Sequence, residues 1–481
     1  MMSPAARLAC FAAGALAASC AVGPDYHRPP FETVPDYKET GDWKPSEPND
    51  VLSRGPWWKI FNDDELDRLE AQVDINNQNI KAAEAAFEQS RALVAQARAG
   101  FWPTIAATFS AQRGQAGVPA ATANGIGLPN SSLSGPRTTY QTGVSGNWDI
   151  DIWGQIRRTV ESDRASAQAS SAALAAARLS AQAELATDYF ELRAQDQLQK
   201  LLDDTVVAET LSLKITESRY KFGVAARADV VSAETQLLSS RAQQINAKIQ
   251  RAILEHAVAV LIGKQPAEFS LQPAAMRTDV PTVPPGVPST LLERRPDVAE
   301  AERKMAAANA QIGVATAAYF PSLTLSGSDQ YSSTSFSRLI RNSNRVWAVG
   351  PQLAETLFDG GVRRAQVRQA RAAFDGTAAT YRQTVLAGFQ QVEDDIVTLR
   401  VLEQQSAIEE ETVKAAREAE TLTLNQYKAG TVPYSSVITA QTTRLSAEET
   451  ALTVLSSRLQ SSVALIEALG GGWNASMDTV K

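Results

Sequence analysis

Residues 155–222 read QIRRTVESDRASAQASSAALAAARLSAQAELATDYFELRAQDQLQKLLDDTVVAETLSLKITESRYKF, a run of 68 residues without proline or glycine. Eleven of the 22 residues in 165–186 are alanine, which has the highest helix propensity. The run predicts one uninterrupted helix about 100 Å long, far longer than an ordinary globular helix. Because small alanines let helices approach on more than one side, the stretch indicates a wall of packed helices rather than a two-stranded zipper.

The long helix ends in a motif that occurs twice. Tyr220-Lys221-Phe222-Gly223 and Tyr427-Lys428-Ala429-Gly430 each place a lysine in a last helical turn and a glycine directly after it. Helical patterns resume at 227–263 and 433–469, the second with proline near its first turn. The sequence therefore predicts two tight helical hairpins, with Gly223 and Gly430 as the hairpin turns.

The chain is an internal duplication. Tyr220 matches Tyr427 at an offset of 207 (427 − 220), and Trp102-Pro103 matches Phe320-Pro321 at 218 (320 − 102). The two offsets assign about a dozen extra residues of the first copy to the loop 113–135, which is rich in Gly, Pro, Asn and Ser. We predict repeat 1 at 63–263 and repeat 2 at 291–469, joined by the linker 264–290.

Each repeat is predicted to have the same element order. A first helix is followed by a strand pair (101–153 and 319–358), a long helix (155–222 and 361–429), a turn, and a last helix (227–263 and 433–469). The N-terminal segment 20–62 is predicted to be extended, and 470–481 is a C-terminal tail.

The strand pairs alternate between apolar and polar side chains. Residues 104–112 put Ile105, Ala107, Phe109 and Ala111 on one face, and 139–151 put Tyr140, Val144, Trp148 and Ile150 on one face. Ser322–Gln330 repeats the pattern, and Val346–Phe358 does so less cleanly because it contains Pro351. Period-two alternation with flanking aromatics is typical of transmembrane β-barrel strands, with a strand on a soluble core as the alternative.

Four strands cannot close a barrel by themselves. Single-chain bacterial barrels begin at about eight strands, and an open strand edge cannot face lipid. If these strands span a membrane, several copies must share one barrel. Two, three or four copies would supply about 8, 12 or 16 strands.

Composition weighs against a chemical or nucleic-acid function. The 481 residues carry a net charge of −7, two cysteines and two histidines. Neither a Cys/His metal site, a disulfide scaffold nor a basic nucleic-acid surface is expected. Glu293-Arg294-Arg295 and Glu393-Asp394-Asp395 are interpreted as solvated helix faces. With no nucleophile–base pair or phosphate loop, we expect neither an enzyme nor a cofactor.

The N-terminus carries an export signal. Arg7 precedes an apolar run from Leu8 to Ala18, which is too short to span a bilayer and suits a signal peptide at 1–19. Leu16-Ala17-Ala18-Ser19-Cys20 resembles a bacterial lipobox, so Cys20 is the predicted lipid anchor, carrying S-diacylglycerol and N-palmitoyl groups. A plain secretory signal with an idle thiol is the alternative.

These motifs together resemble the outer membrane factor family of TolC-like channels, in the lipoprotein branch of OprM and NodT. The resemblance rests on Cys20-Ala21-Val22-Gly23-Pro24-Asp25-Tyr26, the paired aromatic-Pro and Arg-Arg junctions, the Tyr-Lys-x-Gly turns and Leu292-Glu293-Arg294-Arg295-Pro296-Asp297-Val298. It covers essentially all of 20–470.

The resemblance implies a mixed α/β membrane fold. Long α-helical hairpins would form a periplasmic α-barrel, and four strands per protomer would join a twelve-stranded transmembrane β-barrel shared by a homotrimer. It implies an outer-membrane exit duct of a tripartite efflux pump of the resistance-nodulation-division type, which exports small toxic solutes. The implied partners are a periplasmic adaptor, an inner-membrane transporter and outer-membrane lipid, and not nucleic acid.

The resemblance also places a constriction just after Gly430, where family members often carry aspartates. Ser436 and Thr439 occupy those places here, and Asp229 stands at the place in repeat 1 that corresponds to Ser436. For each candidate residue, helix capping or hairpin packing is the alternative to gating. The candidate gate and tip residues are Asp229, Ser232, Tyr427, Tyr434, Ser436 and Thr439.

Two other functions are compatible with the sequence. A duct for type I protein secretion would share the architecture, and gene neighbours would decide between the two kinds of export. A lipid-anchored helical scaffold without a pore would leave the alternating segments outside the membrane.

Overall fold

The computed structural model describes residues 21–28, 38, 56–114, 136–283 and 294–471. The predicted signal peptide, Cys20, most of the loop 113–135 and the tail beyond residue 471 lie outside the described residues, as do parts of the N-terminal segment and of the linker 264–290. The elements in chain order are α1 (Asp64–Asn76), α2 (Gln78–Ala99), β1 (Thr104–Gly114), β2 (Arg137–Ile150), α3 (Gln155–Lys221), α4 (Arg227–Leu261), α5 (Pro296–Ala317), β3 (Ser322–Ser333), β4 (Arg345–Ala354), α6 (Val362–Ala429) and α7 (Tyr434–Ala468).

Two very long helices dominate the chain. The first, α3, runs unbroken for 67 residues and α6 for 68, and each ends in a turn that leads into a 35-residue helix. These ends fall within one or two residues of the sequence-based bounds 155–222, 227–263, 361–429 and 433–469. No helix of the described ranges combines the length and the hydropathy needed to cross a bilayer.

Repeat 1 begins with two helices, not with the single helix that the sequence predicts. The chain leaves helical geometry at Asn77, whose ψ of 125° separates α1 from α2. Its side-chain Oδ1 accepts from the backbone N–H groups of Asn79 and Ile80, and its Nδ2 donates to the Leu261 carbonyl at 2.9 Å. Asn77 therefore caps the start of α2 and holds the break against the end of α4.

The four strands form one antiparallel sheet in the order β1-β2-β3-β4. Residues directly opposite each other share a face, and the register aligns the alternating patterns of all four strands. One face carries mostly apolar side chains, among them Ile105, Phe109, Val144, Trp148, Leu325, Trp347, Val349 and Leu353. The other carries mainly hydroxyl, amide and small side chains, among them Thr108, Ser110, Gln141, Ser145, Asn147, Thr324, Ser326, Ser328 and Gln330.

The last strand is shorter than the predicted segment Val346–Phe358. It ends at Ala354, so Leu357 and Phe358 lie beyond it, 90% and 89% exposed. Pro351 lies inside β4, the last strand of the sheet within one chain, directly opposite Leu325 of β3.

The chain divides into two compact units, and each unit draws on both repeats. The first comprises 1–28, 89–167 and 303–378 and contains the sheet; the second comprises 29–88, 168–302 and 379–481. The second unit holds the largest hydrophobic core of the described residues, built from the short turn Trp57–Phe61, from α1, α2, α3, α4, α6 and α7, and from part of the linker. The repeats are therefore not separate domains.

The Arg-Arg-Pro-Asp motif packs against the end of α7. Nη1 of Arg295 donates to the Ala468 carbonyl at 2.8 Å, and its guanidinium pairs with Asp297 at 2.7 Å. With the Arg295 side chain only 12% exposed, this motif is not the solvated helix face that the sequence suggested.

Asp395 departs from the solvated interpretation as well. Its Oδ2 atom is buried without a hydrogen-bond partner. Burial first, and then the negative charges of Asp394 and Glu467, raise the pKa of Asp395 to about 7, while Arg295 opposes them. Because Arg295 already pairs with Asp297 and donates to the Ala468 carbonyl, its positive charge only partly offsets the rise in the pKa of Asp395.

The Asp395→Asn variant is expected to remove a pH dependence of stability. A carboxyl whose pKa is about 7 when folded and about 3.9 when unfolded binds more protons in the folded state between those values. Wild-type stability should therefore fall as pH rises from 4 to 7, and the variant should escape that loss. Melting temperatures of both proteins between pH 4.5 and 8 would check this, with the exposed Asp375→Asn as the control. If the difference in melting temperature between Asp395→Asn and the wild type does not grow as pH rises, the assignment is contradicted.

Candidate functional site

The two hairpin turns have the same backbone geometry. Gly223 and Gly430 have φ of 72° and 78°, the left-handed conformation that favours glycine. In each turn the glycine N–H donates to the backbone carbonyl of the tyrosine three residues earlier. The distance is 2.9 Å both to Tyr220 and to Tyr427. These bonds end α3 and α6 and reverse the chain within a few residues.

Tyr427 and Tyr434 pack together beside the second turn. Their rings meet edge to face with centroids 5.1 Å apart, and the side chains are 3% and 1% exposed. They share a small buried cluster with Val437 of the same hairpin and Ala233 of α4. The cluster thus joins the second hairpin to the first.

Burial of the Tyr434 ring raises the pKa of its hydroxyl to about 12. The negative charges of Glu209 and Asp229 act in the same direction, while a hydrogen bond with Ser212 of α3 opposes them. The hydroxyl therefore stays protonated at physiological pH and serves as a neutral hydrogen-bonding group.

Arg219 connects the ends of the two long helices. Its guanidinium lies over the Tyr427 ring, 4.8 Å from the centroid, and its Nη1 donates to the Lys428 carbonyl at 2.7 Å. Lys428 lies in the last turn of α6, where carbonyl groups lack partners within the helix. Arg219 therefore caps α6 with a side chain from α3.

Arg444 is the centre of a second connection. Its side chain is 13% exposed; its Nε lies 2.6 Å from Glu420, and its Nη1 lies 2.5 Å from the buried Glu448. Its Nη2 donates to the Thr205 hydroxyl of α3 at 3.3 Å. Arg417 is a second partner of Glu448 at 2.6 Å, but its own side chain is 64% exposed. Arg444 is thus the better shielded of the two cations.

Further polar contacts lie between these two arginines along the hairpins. Gln441 Nε2 donates to the Ser212 hydroxyl at 3.2 Å, and Gln236 Nε2 donates to the Glu209 carboxylate at 3.0 Å. Burial raises the pKa of Glu209, although the charge of Arg444 works against it. A buried polar layer therefore accompanies the tyrosine cluster. Its Gln441–Ser212 bond joins the two hairpins, and its Gln236–Glu209 bond joins α4 to α3 within the first hairpin.

The remaining predicted gate residues are not part of this buried layer. Ser232 and Thr439 are exposed, and Asp229 and Ser436 are partly buried. The Thr439 hydroxyl donates to the Ser435 carbonyl at 3.1 Å. The structure thus brings Tyr427 and Tyr434 into contact but leaves the other four outside that contact.

Sequence reasoning missed Arg219 and Arg444. Arg219 stands directly before Tyr220-Lys221, and Arg444 and Glu448 have the i,i+4 spacing of a helical ion pair. Those signals could have identified the two arginines. Their partners Lys428 and Thr205 lie more than 200 residues away in the chain, so no local pattern pointed to them.

A second group of contacts lies in the sheet-containing unit, where the first residues after Cys20 are held. The Val22 N–H donates to the Trp153 carbonyl at 3.1 Å. Arg158, whose side chain is 5% exposed, donates to the carbonyls of Val22 and Gly23 and pairs with Asp25 at 2.8 Å. The segment therefore runs against the junction between β2 and α3.

Gly23→Ala is expected to destabilise this segment. Gly23 has φ of 102°, and an added Cβ would come within 2.5 Å of the Gly313 Cα. Backbone strain together with this overlap should cost about 2 kcal/mol or more. Limited proteolysis of the N-terminal segment would measure the effect. Gly350→Ala is the matched control, because its added Cβ meets no atom within 4 Å; equal protection of both variants would contradict the assignment.

The strand-to-helix junctions of the two repeats each contain an equivalent ion pair. Arg157 contacts Asp151 at 3.3 Å before α3, and Arg363 contacts Asp359 at 2.7 Å before α6. Both aspartates also accept backbone N–H groups from the first helical turn. The first arginine of each Arg-Arg pair thus fixes where a strand continues into a long helix.

Comparisons with known proteins identify what this arrangement resembles. The family model described as outer membrane efflux protein matches residues 70–264 and 287–471. The pyoverdine export outer membrane protein OpmQ of Pseudomonas aeruginosa is 30% identical over 87% of this chain and 88% of its own. The probable efflux pump outer membrane protein TtgC of Pseudomonas putida is 28% identical over 94% and 93%.

A solved structure agrees with these sequence relatives. The outer-membrane channel OprN superposes with a TM-score of 0.86 at 30% identity, covering 94% of this chain and 100% of its own. The similarity therefore extends over the sheet and both hairpins.

Proposed function

The chain belongs to the outer membrane efflux protein family and is an outer-membrane efflux channel, and on that premise we propose that three copies form its working duct. We place this duct in a tripartite pump of the resistance-nodulation-division type, with a periplasmic adaptor and an inner-membrane transporter. The family supports transport rather than catalysis, so the duct moves its solute without converting it.

The sheet is the observation that carries a barrel shared between copies. Its register gathers apolar side chains on one face and polar ones on the other, as a membrane-spanning wall requires. The outer strands β1 and β4 each lack a neighbour on one side. Since an open edge cannot face lipid, joining β1 of one copy to β4 of the next satisfies both edges. Three copies then supply about twelve strands.

The hairpin ends form the gate in this proposal. Arg219, Arg444 and the Tyr427–Tyr434 pair hold the second hairpin against the first. Opening requires the second hairpin to move away, and adaptor binding would favour the open state. Asp229, Ser232, Ser436 and Thr439 line the same region as secondary candidates.

Small toxic solutes are the proposed cargo. The relative OpmQ is named for the export of pyoverdine, which supports small-molecule export over protein secretion. The test is a deletion strain challenged with a panel of antibiotics, dyes and metals, together with adaptor cross-linking in cells. Increased sensitivity that the intact gene reverses, and an adaptor cross-link, are the expected results. Unchanged sensitivity across the panel with impaired protein secretion would favour a type I secretion duct.

Cys20 is the proposed lipid anchor. Ala21, the next residue in the chain, lies against Gly154, and Val22 bonds to Trp153 at the helix end of β2. This end of the sheet meets the inner leaflet if the long helices occupy the periplasm. Acyl chains attached at Cys20 would therefore enter the same leaflet.

The Cys20→Ser variant is expected to lose the acyl groups while keeping the fold, because Arg158 and Trp153 hold the segment through backbone atoms. Mass spectrometry of the N-terminal peptide and radiolabelled palmitate incorporation would check this. An unacylated N-terminal peptide in the wild-type protein would contradict the anchor.

A further inference from the structure

The sheet region has an unusual set of charged residues. Residues 104–150 and 322–354 contain five arginines and two aspartates, but no lysine and no glutamate. The seven are Arg113, Arg137, Asp149, Asp329, Arg338, Arg341 and Arg345. An arginine-only set of cations is notable because the guanidinium group, unlike an ammonium, can bind an oxyanion through two parallel hydrogen bonds.

All five arginines lie at one end of the sheet. Arg113 and Arg137 are at the paired ends of β1 and β2, where Arg113 faces Thr138. Arg345 begins β4, and Arg338 and Arg341 lie in the connection between β3 and β4. Phe336 of this connection packs against Phe109 and Tyr140, at centroid distances of 6.3 and 5.6 Å. The connection is therefore held over the ends of β1 and β2.

The aspartates leave most of this positive charge uncompensated. Asp329 pairs with Arg345 through two contacts of 2.9 and 2.7 Å, and Asp149 lies near the opposite end of the sheet beside Thr324. Residues 115–135 contain no charged side chain. Four exposed arginines thus have no ion pair within the part of the chain that the structure describes: Arg113, Arg137, Arg338 and Arg341.

The arginines border apolar surface. Arg113 and Arg345 belong to the same face as Phe109 and Trp347, by the register of their strands. Phe336 and Ile340 of the connection are 64% and 77% exposed. A surface that combines exposed guanidinium groups with exposed apolar side chains fits an amphiphile that has anionic head groups and acyl chains.

The direction of the sheet decides which membrane surface this is. All four junctions between a strand and a helix lie at the end of the sheet opposite the arginines, since α2 precedes β1, α3 follows β2, α5 precedes β3 and α6 follows β4. The proposed function, on which this inference rests, places these helices in the periplasm. The arginines then face the outer surface of the cell.

We propose that this arginine end binds the phosphate groups of the phosphorylated glycolipid that forms the outer leaflet of the outer membrane. Arg338 and Arg341 contact the phosphates from the connection, and Arg113 does so from the strand end. The exposed Phe336 and Ile340 contact the acyl chains of the same lipid. The Arg345–Asp329 pair is internally neutralised and has no part in phosphate binding.

The test measures lipid A binding by the purified full-length protein in detergent with native mass spectrometry. The probes are lipid A with both phosphates and the same glycolipid after enzymatic removal of the phosphates. Arg338→Gln/Arg341→Gln should bind the phosphorylated probe at least about tenfold more weakly than wild type, because two charge-assisted contacts are lost. The control Arg241→Gln/Lys248→Gln removes two exposed charges from α4 and should bind like wild type.

Two outcomes would overturn the proposal. One is equal binding of the phosphorylated probe by the double variant and the wild type, and the other is equal binding of both probes by the wild type. Asn342→Cys, in the same connection, separates this from the proposed function. If the cysteine reacts with an impermeant maleimide on intact cells, but Arg338→Gln/Arg341→Gln binds phosphorylated lipid A as tightly as the wild type, only this proposal fails. If it does not react, the membrane orientation fails and the proposal fails with it.

Discussion

Arg444→Ala is expected to make the outer membrane permeable to large antibiotics and to destabilise the hairpins. The substitution removes the cation nearest to Glu420 and Glu448 and breaks the bond to Thr205 of α3. Glu448 would lose its best shielded partner. Because Glu448 is only 7% exposed, we expect the substitution to lower the free energy of unfolding by about 3 to 5 kcal/mol. Sensitivity of cells to vancomycin and thermal denaturation of the purified protein measure the two effects.

Arg417→Ala is the matched control for Arg444→Ala. It removes an arginine from the same glutamate, but this side chain is 64% exposed, so its loss should cost at most about 1 kcal/mol. Cells with this variant should stay resistant to vancomycin. If the two variants have equal melting temperatures and leave cells equally resistant to vancomycin, the Arg444 contacts do not hold the hairpins together.

Tyr434→Ala should have a comparable effect through packing. The ring is 1% exposed and fills the cluster with Tyr427, Val437 and Ala233. Truncation of a large aromatic side chain in a core leaves a cavity that costs about 3 to 5 kcal/mol. We therefore expect a lower melting temperature and a higher vancomycin sensitivity.

Tyr220→Ala is the control for that variant, because it makes the same change at the corresponding place of the first hairpin, where the ring is 43% exposed. Thr439→Ala, at an exposed hydroxyl, should also behave like the wild type. Tyr434→Phe should retain most of the stability because the ring stays in place. A Tyr434→Ala protein as stable and as tight as Tyr220→Ala would exclude the cluster from gating.

The fold was largely predictable because its strongest signals are local. The absence of Pro and Gly from 155–222 indicated the length of α3, and period-two alternation identified the strand faces. The mixed fold of long hairpins and a small sheet is confirmed by its similarity to OprN. In the hairpin turns, the lysine and glycine signals depend on helix termination alone, which needs no distant partner.

The details that the sequence did not yield depend on distant contacts. Asn77 interrupts a helical pattern without Pro or Gly because the break is stabilised by the Leu261 carbonyl. Asp395 looked like part of a solvated charge cluster, yet packing buries its Oδ2 atom. Arg219 acquires its role from a carbonyl 209 residues away. In each case the deciding partner comes from another part of the fold.

The central claim is that contacts between the two hairpins hold a membrane channel closed. Single-channel conductance of the purified wild type and Arg444→Ala in planar bilayers tests it most directly. The account predicts low conductance for the wild type, a large stepwise increase for Arg444→Ala, and no increase for Arg417→Ala. Equal conductance of the wild type and Arg444→Ala, or no channels from either, would contradict it.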